Sequence, residues 1–308
     1  VCSPSVQTGV AWCAWARLRR GGGNYAVGVI DLRGLELEHP VVVASFQGWN
    51  DGAEAASNAL AHLAEVAGAS QVGAMDPEPY YDFQVNRPNV RLDEDGRRRI
   101  IWPTTRLLAG TIPDSHHDLL LVDGIEPSVR WRSFAAELVD LVRGVGAEVV
   151  VLLGALLADQ SHRLPTNVTG VTGDDALVRR LGLTPSRYEG PTGIVGVLQE
   201  ALSTAGMPTV SFWAAVPYYV AAPPCPKATL ALLHRVEDVL DVSLPVGELA
   251  DDARAWERGV EELLSQDDEL AAIVAELDND SEGALRETSG EALAKEFERY
   301  LRRRRPDG

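Results

Sequence analysis

Polar side chains able to bind ligands or carry protons stand at the ends of apolar runs in this sequence. Asn50 and Asp51 follow Pro40-Val-Val-Val-Ala-Ser-Phe46, Asp123 and Glu126 follow Asp118-Leu-Leu-Leu-Val122, and Asp159 follows Glu148-Val-Val-Val-Leu-Leu153. In open α/β sheets ligands settle outside the carboxyl ends of the strands, so these loops are where a site would converge. Each residue also has a plainer use. Asp51 opens Asp51-Gly-Ala-Glu54, a capping-box spacing that explains the aspartate without a ligand. Asn50 suits a left-handed loop position. Glu126 has Arg130 and Arg132 close by in sequence. A carboxylate–guanidinium pair there would fix the turn or hold a polar ligand.

Gly190-Pro-Thr-Gly193 precedes a helical pattern at Ile194, Val197, Leu198, Ala201 and Leu202. A helix N-terminus offers free N–H groups and the positive end of a dipole, so Thr192 and Gly193 are candidates for holding a phosphate, sulfate or carboxylate. Pro191 and Thr192 also serve simply to start a helix, and the glycine-lysine pattern of a P-loop is absent. Asp159-Gln-Ser-His162 gathers three triad residue types on one stretch, but triads are defined by spatial role. His116 and His117 are adjacent, which on a strand points them to opposite sides. Cys2, Cys13 and Cys225 lack metal-ligand spacing. The ligand-binding candidates are therefore Asn50, Asp51, Glu126, Thr192 and Gly193; no catalytic residue, metal set or cofactor is nominated.

The elements that would position these residues are legible from periodicity. Residues 40–46 read as a buried strand, and Ala55, Ala56, Ala59, Leu60, Leu63 and Ala67 follow at helical spacing, giving a βα unit. Gln71–Met75 reads as a strand, and Asn89–Leu92 and Arg99–Trp102 flank the turn Asp93-Glu-Asp-Gly96 as a hairpin. The runs after Asp118 and Glu148 enclose a helical pattern from Trp131 to Val145, Thr209–Val216 returns as a strand, and Ala228–Leu240 is helical. Such alternation predicts crossovers and a mostly parallel sheet. Pro245 marks a boundary, after which Trp256, Val260, Leu263 and Leu264, then Leu270, Ile273, Val274 and Leu277, form two apolar stripes. The expected division is a loose extension over 1–34, an α/β core over 35–244 and an acidic helical extension over 245–308.

Charge narrows the partners. The chain has 308 residues and a net charge of -17, which argues against nucleic acid, because phosphate binding needs a basic surface. Between Glu248 and Glu298 stand 17 acids against Arg254, Arg258, Arg286 and Lys295, so the acidity is concentrated there. Only Lys227 and Lys295 are lysines. No apolar run reaches membrane-spanning length, and Val10–Ala16 precedes Arg17, Arg19 and Arg20, the reverse of a secretory signal. A cytoplasmic, non-membrane protein is expected.

Seven segments occur in a familiar order: Phe46-Gln-Gly-Trp-Asn-Asp51, Glu78-Pro-Tyr-Tyr-Asp-Phe83, Asn86-Arg-Pro88, Gly124-Ile-Glu-Pro127, Gly154-Ala-Leu-Leu-Ala-Asp159, Gly190-Pro-Thr-Gly-Ile194 and Pro226-Lys-Ala228. Together they resemble the bacterial branch of the proteasome assembly chaperone family, over roughly residues 38–245. The resemblance implies a three-layer α/β/α sandwich, similar to nucleoside phosphorylases and peptidyl-tRNA hydrolases. It further implies a homo-oligomer, expected here as a trimer, with proteasome subunits as expected partners and a non-enzymatic assembly or interaction role. A small-molecule binder or enzyme with a phosphorylase-like pocket at the strand ends is the alternative. Archaeal and eukaryotic relatives dock on the proteasome through a hydrophobic-Tyr-any-residue ending, whereas here Tyr300 follows Arg299 and precedes Leu301-Arg-Arg-Arg-Arg-Pro-Asp-Gly308.

Overall fold

A computed structural model describes residues 35–183 and 188–278. The expected loose extension and Tyr300 lie outside the described residues.

Strand β1 (Val41–Gln47) alternates strictly between two apolar layers. Val41 and Val43 pack with helix α1 (Ala55–Val66) and helix α5 (Pro226–Leu240), while Val42, Ala44 and Phe46 pack with α2 (Trp131–Gly144) and α4 (Ile194–Thr204). A strand apolar on both faces has no solvated side, which is why the run reads as continuous β-branched sequence. Around β1 a seven-stranded sheet takes the order β2-β5-β6-β1-β7-β9-β8. Its members are β2 (Ser70–Ala74), β5 (Arg106–Thr111), β6 (Asp118–Ile125), β7 (Val149–Ala158), β8 (Val168–Thr172) and β9 (Thr209–Pro217). The four central strands β6, β1, β7 and β9 are parallel, and β2, β5 and β8 are joined by antiparallel pairing. The mostly parallel sheet between two helical layers is the three-layer sandwich expected.

The two layers are held differently. On one side α1 presents Ala55, Ala56 and Ala59, all fully buried, so backbone approaches sheet closely. On the other, Phe134 of α2 meets Phe46 and Tyr80 edge-on at 5.8 and 5.2 Å. Truncating such a fully buried ring costs about 3–5 kcal/mol.

Several elements differ from expectation. β5, β8 and the short helix α3 (Asp175–Leu181) escape a periodicity reading, because Arg106-Leu-Leu-Ala-Gly-Thr111 and Val168-Thr-Gly-Val-Thr172 do not alternate cleanly. β7 runs to Ala158, beyond its apolar start, since it stays paired with β9 throughout. Helix α6 (Leu249–Leu264) buries Ala253, Val260 and Leu264 against α5, but Leu263, expected on that face, is exposed. Farther on, Val274 is buried within the helical residues 268–278. The hairpin β3 (Asn89–Leu92) and β4 (Arg98–Ile101) stands apart as its own two-stranded sheet.

Candidate functional site

The exit loop of β1 is shaped by Gly48, whose φ of +123° only glycine adopts without strain. The turn it makes returns Asp51 N–H to Gly48 O at 3.1 Å and drives Asn50 inward. Asn50 is fully buried. Its backbone carbonyl accepts from Ala155 N at 2.8 Å, lashing the loop to β7, and its Nδ2 donates to Glu126 Oε1 at 2.7 Å. Glu126 sits just past β6, with its own N–H on Gln47 O at 2.9 Å. The same Oε1 accepts the Ile194 N–H at 2.9 Å, in the first turn of α4. One carboxylate thus ties together the loops after β1 and β6 and the start of α4.

Gly193 makes that junction possible. A Cβ there would come within 2.1 Å of Asn50 Oδ1 and 2.8 Å of Asn50 Cγ. Neither atom can retreat, because Asn50 has no accessible surface. Glycine is required by this close approach rather than by its backbone angles, which are extended.

Of the five sequence candidates, Asn50, Glu126 and Gly193 therefore meet, whereas Asp51 and Thr192 do not join them. Asp51 turns away, and its Oδ1 accepts from Ala56 N at 2.8 Å and Ser57 N at 3.2 Å, capping α1. Glu54 does not complete a capping box. It and Ala53 take left-handed conformations at φ 56° and 50°, which swings the glutamate out of reciprocal position. Burial pushes the Asp51 carboxyl above its ordinary value, against the lowering effect of bonds from Ser57 and Ala56. Thr192 is exposed, its Oγ1 lying over the face of Gly196. The expected Glu126–arginine pair is replaced by neutral donors. Non-local packing brings Asn50 and α4 closer to the carboxylate than the neighbouring arginines.

An anion at the start of α4 would find the Ile194 N–H already taken by Glu126. The helix end is thus satisfied from within the protein. Beside the junction lies an open groove of about 480 Å³, lined by Gln47, Gly48, Asp82, Val85, Asn86, Ile125, Glu126, Pro127, Ser128, Val129 and Trp131. Its walls are rigidly bonded. Ser128 Oγ accepts from Asp82 N and Asn86 Nδ2, each at 3.1 Å, and Tyr81 OH donates to Ile125 O at 2.9 Å. Tyr80 OH reaches Glu137 Oε2 at 2.5 Å, and burial followed by that bond pushes the phenol up to about 12. Asp82, Asn86 and Ser128 were not nominated from single-residue chemistry. Their signal was membership, for two of them, in the ordered segments that here converge on one groove.

The other nominated strand-end groups go elsewhere. Asp123 pairs across the sheet with Arg106, and Asp159 is exposed. His162 takes neither Asp159 nor Ser161 as partner, but Tyr219 and Glu261. Among the described residues no group of three or more His, Cys, Asp or Glu side chains could hold a metal ion.

The layered sheet, the strand-end junction and the separate hairpin define the class as an α/β/α sandwich with an inserted arm. The sequence profile of the PAC2 family matches residues 45–264, from β1 through the end of α6, and the chain belongs to that family. Among solved structures, it is similar to a PAC2 family protein from Streptomyces avermitilis at 55% identity and TM-score 0.73, covering 77% of this chain and 99% of that one. A Mycobacterium tuberculosis proteasome-assembly chaperone homologue is 50% identical with TM-score 0.70, covering 76% and 99%. PbaA of Pyrococcus furiosus, an archaeal homolog of proteasome-assembly chaperone, shares the fold at 20% identity and TM-score 0.53, covering 77% and 96%. No curated protein matches the chain.

Proposed function

We propose that this protein is a non-enzymatic, cytoplasmic homo-oligomer that acts as an assembly or interaction factor, with proteasome subunits as its partners. The observation that carries the reading is the β3–β4 hairpin. All eight of its strand residues are exposed, and Val90 opposes Ile100 in register with Leu92 beside them. These three side chains are 53%, 57% and 64% exposed. An isolated two-stranded hairpin is marginal in water, and an exposed apolar face on one marks an interaction surface. Arg87, Arg91, Arg97, Arg98 and Arg99 outnumber Asp93, Glu94 and Asp95 there, whereas the chain as a whole carries -17. The hairpin therefore suits the acidic surface of a second copy. Relationship to a proteasome-assembly chaperone homologue at 50% identity supports the choice of partner. No described helix is long and apolar enough to cross a membrane.

The test is the solution mass of the full chain with and without Val90→Asp and Ile100→Asp, together with the assembly kinetics of proteasome subunits. A trimer that falls to monomer on substitution, and assembly that slows without the protein, are expected. A monomeric wild type overturns the oligomer reading, and unaltered assembly overturns the chaperone role. A second reading, a small-molecule binder, is favoured by the groove beside Glu126. A ligand at 100 times its dissociation constant would stabilise the fold by about 2.7 kcal/mol in a thermal-shift screen. Silence across nucleosides, nucleotides and carboxylates removes that reading.

A further inference from the structure

Pro226-Lys-Ala228 and the stretch after Asp159 take no part in the Glu126 junction, yet they meet each other beneath α6. His162, in the loop after β7, is 1% exposed. Its backbone N–H donates to Tyr219 Oη at 2.7 Å, and its Nδ1 lies 2.8 Å from the same oxygen. Because Oη already accepts the backbone proton, its own proton is available to Nδ1. Nε2 lies 3.1 Å from Glu261 Oε1 of α6, a carboxylate that can only accept. The neutral imidazole carrying its proton on Nε2 satisfies all three contacts.

Around it the charges are segregated by element. The core supplies Arg163 and Lys227, while α6 and the helical residues after it supply Glu257, Glu261 and Asp278. Arg163 grips Glu261 through Nε at 2.7 Å and Nη2 at 2.8 Å, and reaches Asp278 at 2.8 Å. Lys227, on α5, bonds the His162 carbonyl and Glu257. Trp256 of α6 approaches the imidazole edge-on, with centroids 6.4 Å apart.

A second proton on this ring would go to Nδ1. Tyr219 would then have to surrender its donated bond, and a cation would sit between Arg163 and Lys227 with Glu261 alone favouring it. Once α6 lifts away, water can solvate the imidazolium at no such cost.

We propose that His162 places the docking of α6 under proton control, the helix being latched to the core while the imidazole is neutral and released when it is protonated. Burial is the leading cause that depresses His162 below its ordinary 6.5, outweighing the upward pull of Glu261. The docked state therefore binds the proton less tightly. Docking is fully favoured above 6.5 and is lost as pH falls through the lower, docked value. Glu261 is held at about 2, chiefly by Arg163, so its charge does not change in that window. Release uncovers His162, Arg163 and Lys227 together at the carboxyl ends of β7 and β9.

Hydrogen exchange on the full chain between pH 8 and pH 5, corrected for intrinsic rates, tests the latch. Protection of residues 249–264 should fall as pH drops below 6.5. The docking constant should change by about tenfold for each pKa unit separating docked from released imidazole. Protection of α1 should not fall. His162→Gln should abolish the pH dependence of α6. If that variant does not fold, the ring 15N shifts of wild-type His162 decide instead, since they must show the Nε2–H tautomer at pH 7.5. Flat α6 protection in the wild type, the same slope in His162→Gln, or an imidazolium at pH 7.5 would overturn the proposal.

Discussion

Two carboxylates hold this molecule together at the strand ends, and they do so by opposite means. Glu126 is met by the neutral donors Asn50 Nδ2 and Ile194 N, packed against a glycine that admits no side chain. Glu261 is met by a guanidinium and an imidazole, is 46% exposed, and lies on the helix α6. Bonds from neutral donors to a partly buried carboxylate fix geometry and are screened only weakly by salt. Exposed ion pairs contribute little net stability and are screened by salt. The first region is thus built as a fixed joint and the second as a releasable one. Substitutions in the two should differ in size, in salt dependence and in the sign of their response to acid.

The largest effect is expected from Gly193→Ala. The added methyl collides with a side chain that cannot move and breaks the Asn50–Glu126 bond, costing about 3 kcal/mol. For a chain of this size that is a fall of roughly 4–6 °C in Tm, read by calorimetry. A shift under about 2 °C would mean that the junction yields, and the contrast would collapse. Glu126→Gln comes next. The amide oxygen still accepts both bonds but loses its charge at the start of α4, so about 1 kcal/mol is expected from equilibrium unfolding, weakly reduced by salt because the group is partly buried.

Arg163→Ala should cost at most about 1 kcal/mol globally, because the pairs it breaks are half exposed. Its effect should appear locally, as faster exchange in α6, and should vanish in 1 M salt, where the wild type loses the same pairs. An effect unchanged by salt would place α6 with the fixed joint.

How much of this was readable beforehand follows the same division between local and distant causes. β1, α1, the hairpin and the runs that became β6, β7 and β9 announced themselves, because burial on both faces or a tight turn leaves a local signature. β5 and β8 did not. Arg106 and Thr111 on β5 serve partners across the sheet, Asp123 and Asp118, and nothing near them in sequence reveals that pairing. For Glu126, proximity in sequence points to Arg130 and Arg132 as partners, while folding delivers Ile194 from 68 residues away. His162 stands beside Asp159 and Ser161 in sequence, but the carboxylate it meets comes from 99 residues away. Residue type and order point to candidates, and only the fold assigns their partners.

The smallest effect is the most discriminating, because it concerns the sign of a pH response. Asp51 belongs to the fixed region, where its Oδ1 caps α1 and burial raises its pKa above 3.8. The folded state therefore binds that proton more tightly than the unfolded chain does. The buried charge costs stability at neutral pH, and the cost is relieved as pH falls through the raised value toward 3.8. Asp51→Asn keeps an oxygen for Ala56 and Ser57 and removes the charge, so at pH 7 it should unfold within about 0.5 kcal/mol of the wild type. Asp51→Ala loses the cap and about 1 kcal/mol. As the pH falls toward 3.8 the wild type should gain on Asp51→Asn, while below 6.5 α6 loosens through His162. Acid would then tighten one strand-end region and release the other within a single chain. If the wild type instead loses ground to Asp51→Asn, the Asp51 carboxylate is favoured by folding, and the two regions respond to protons alike.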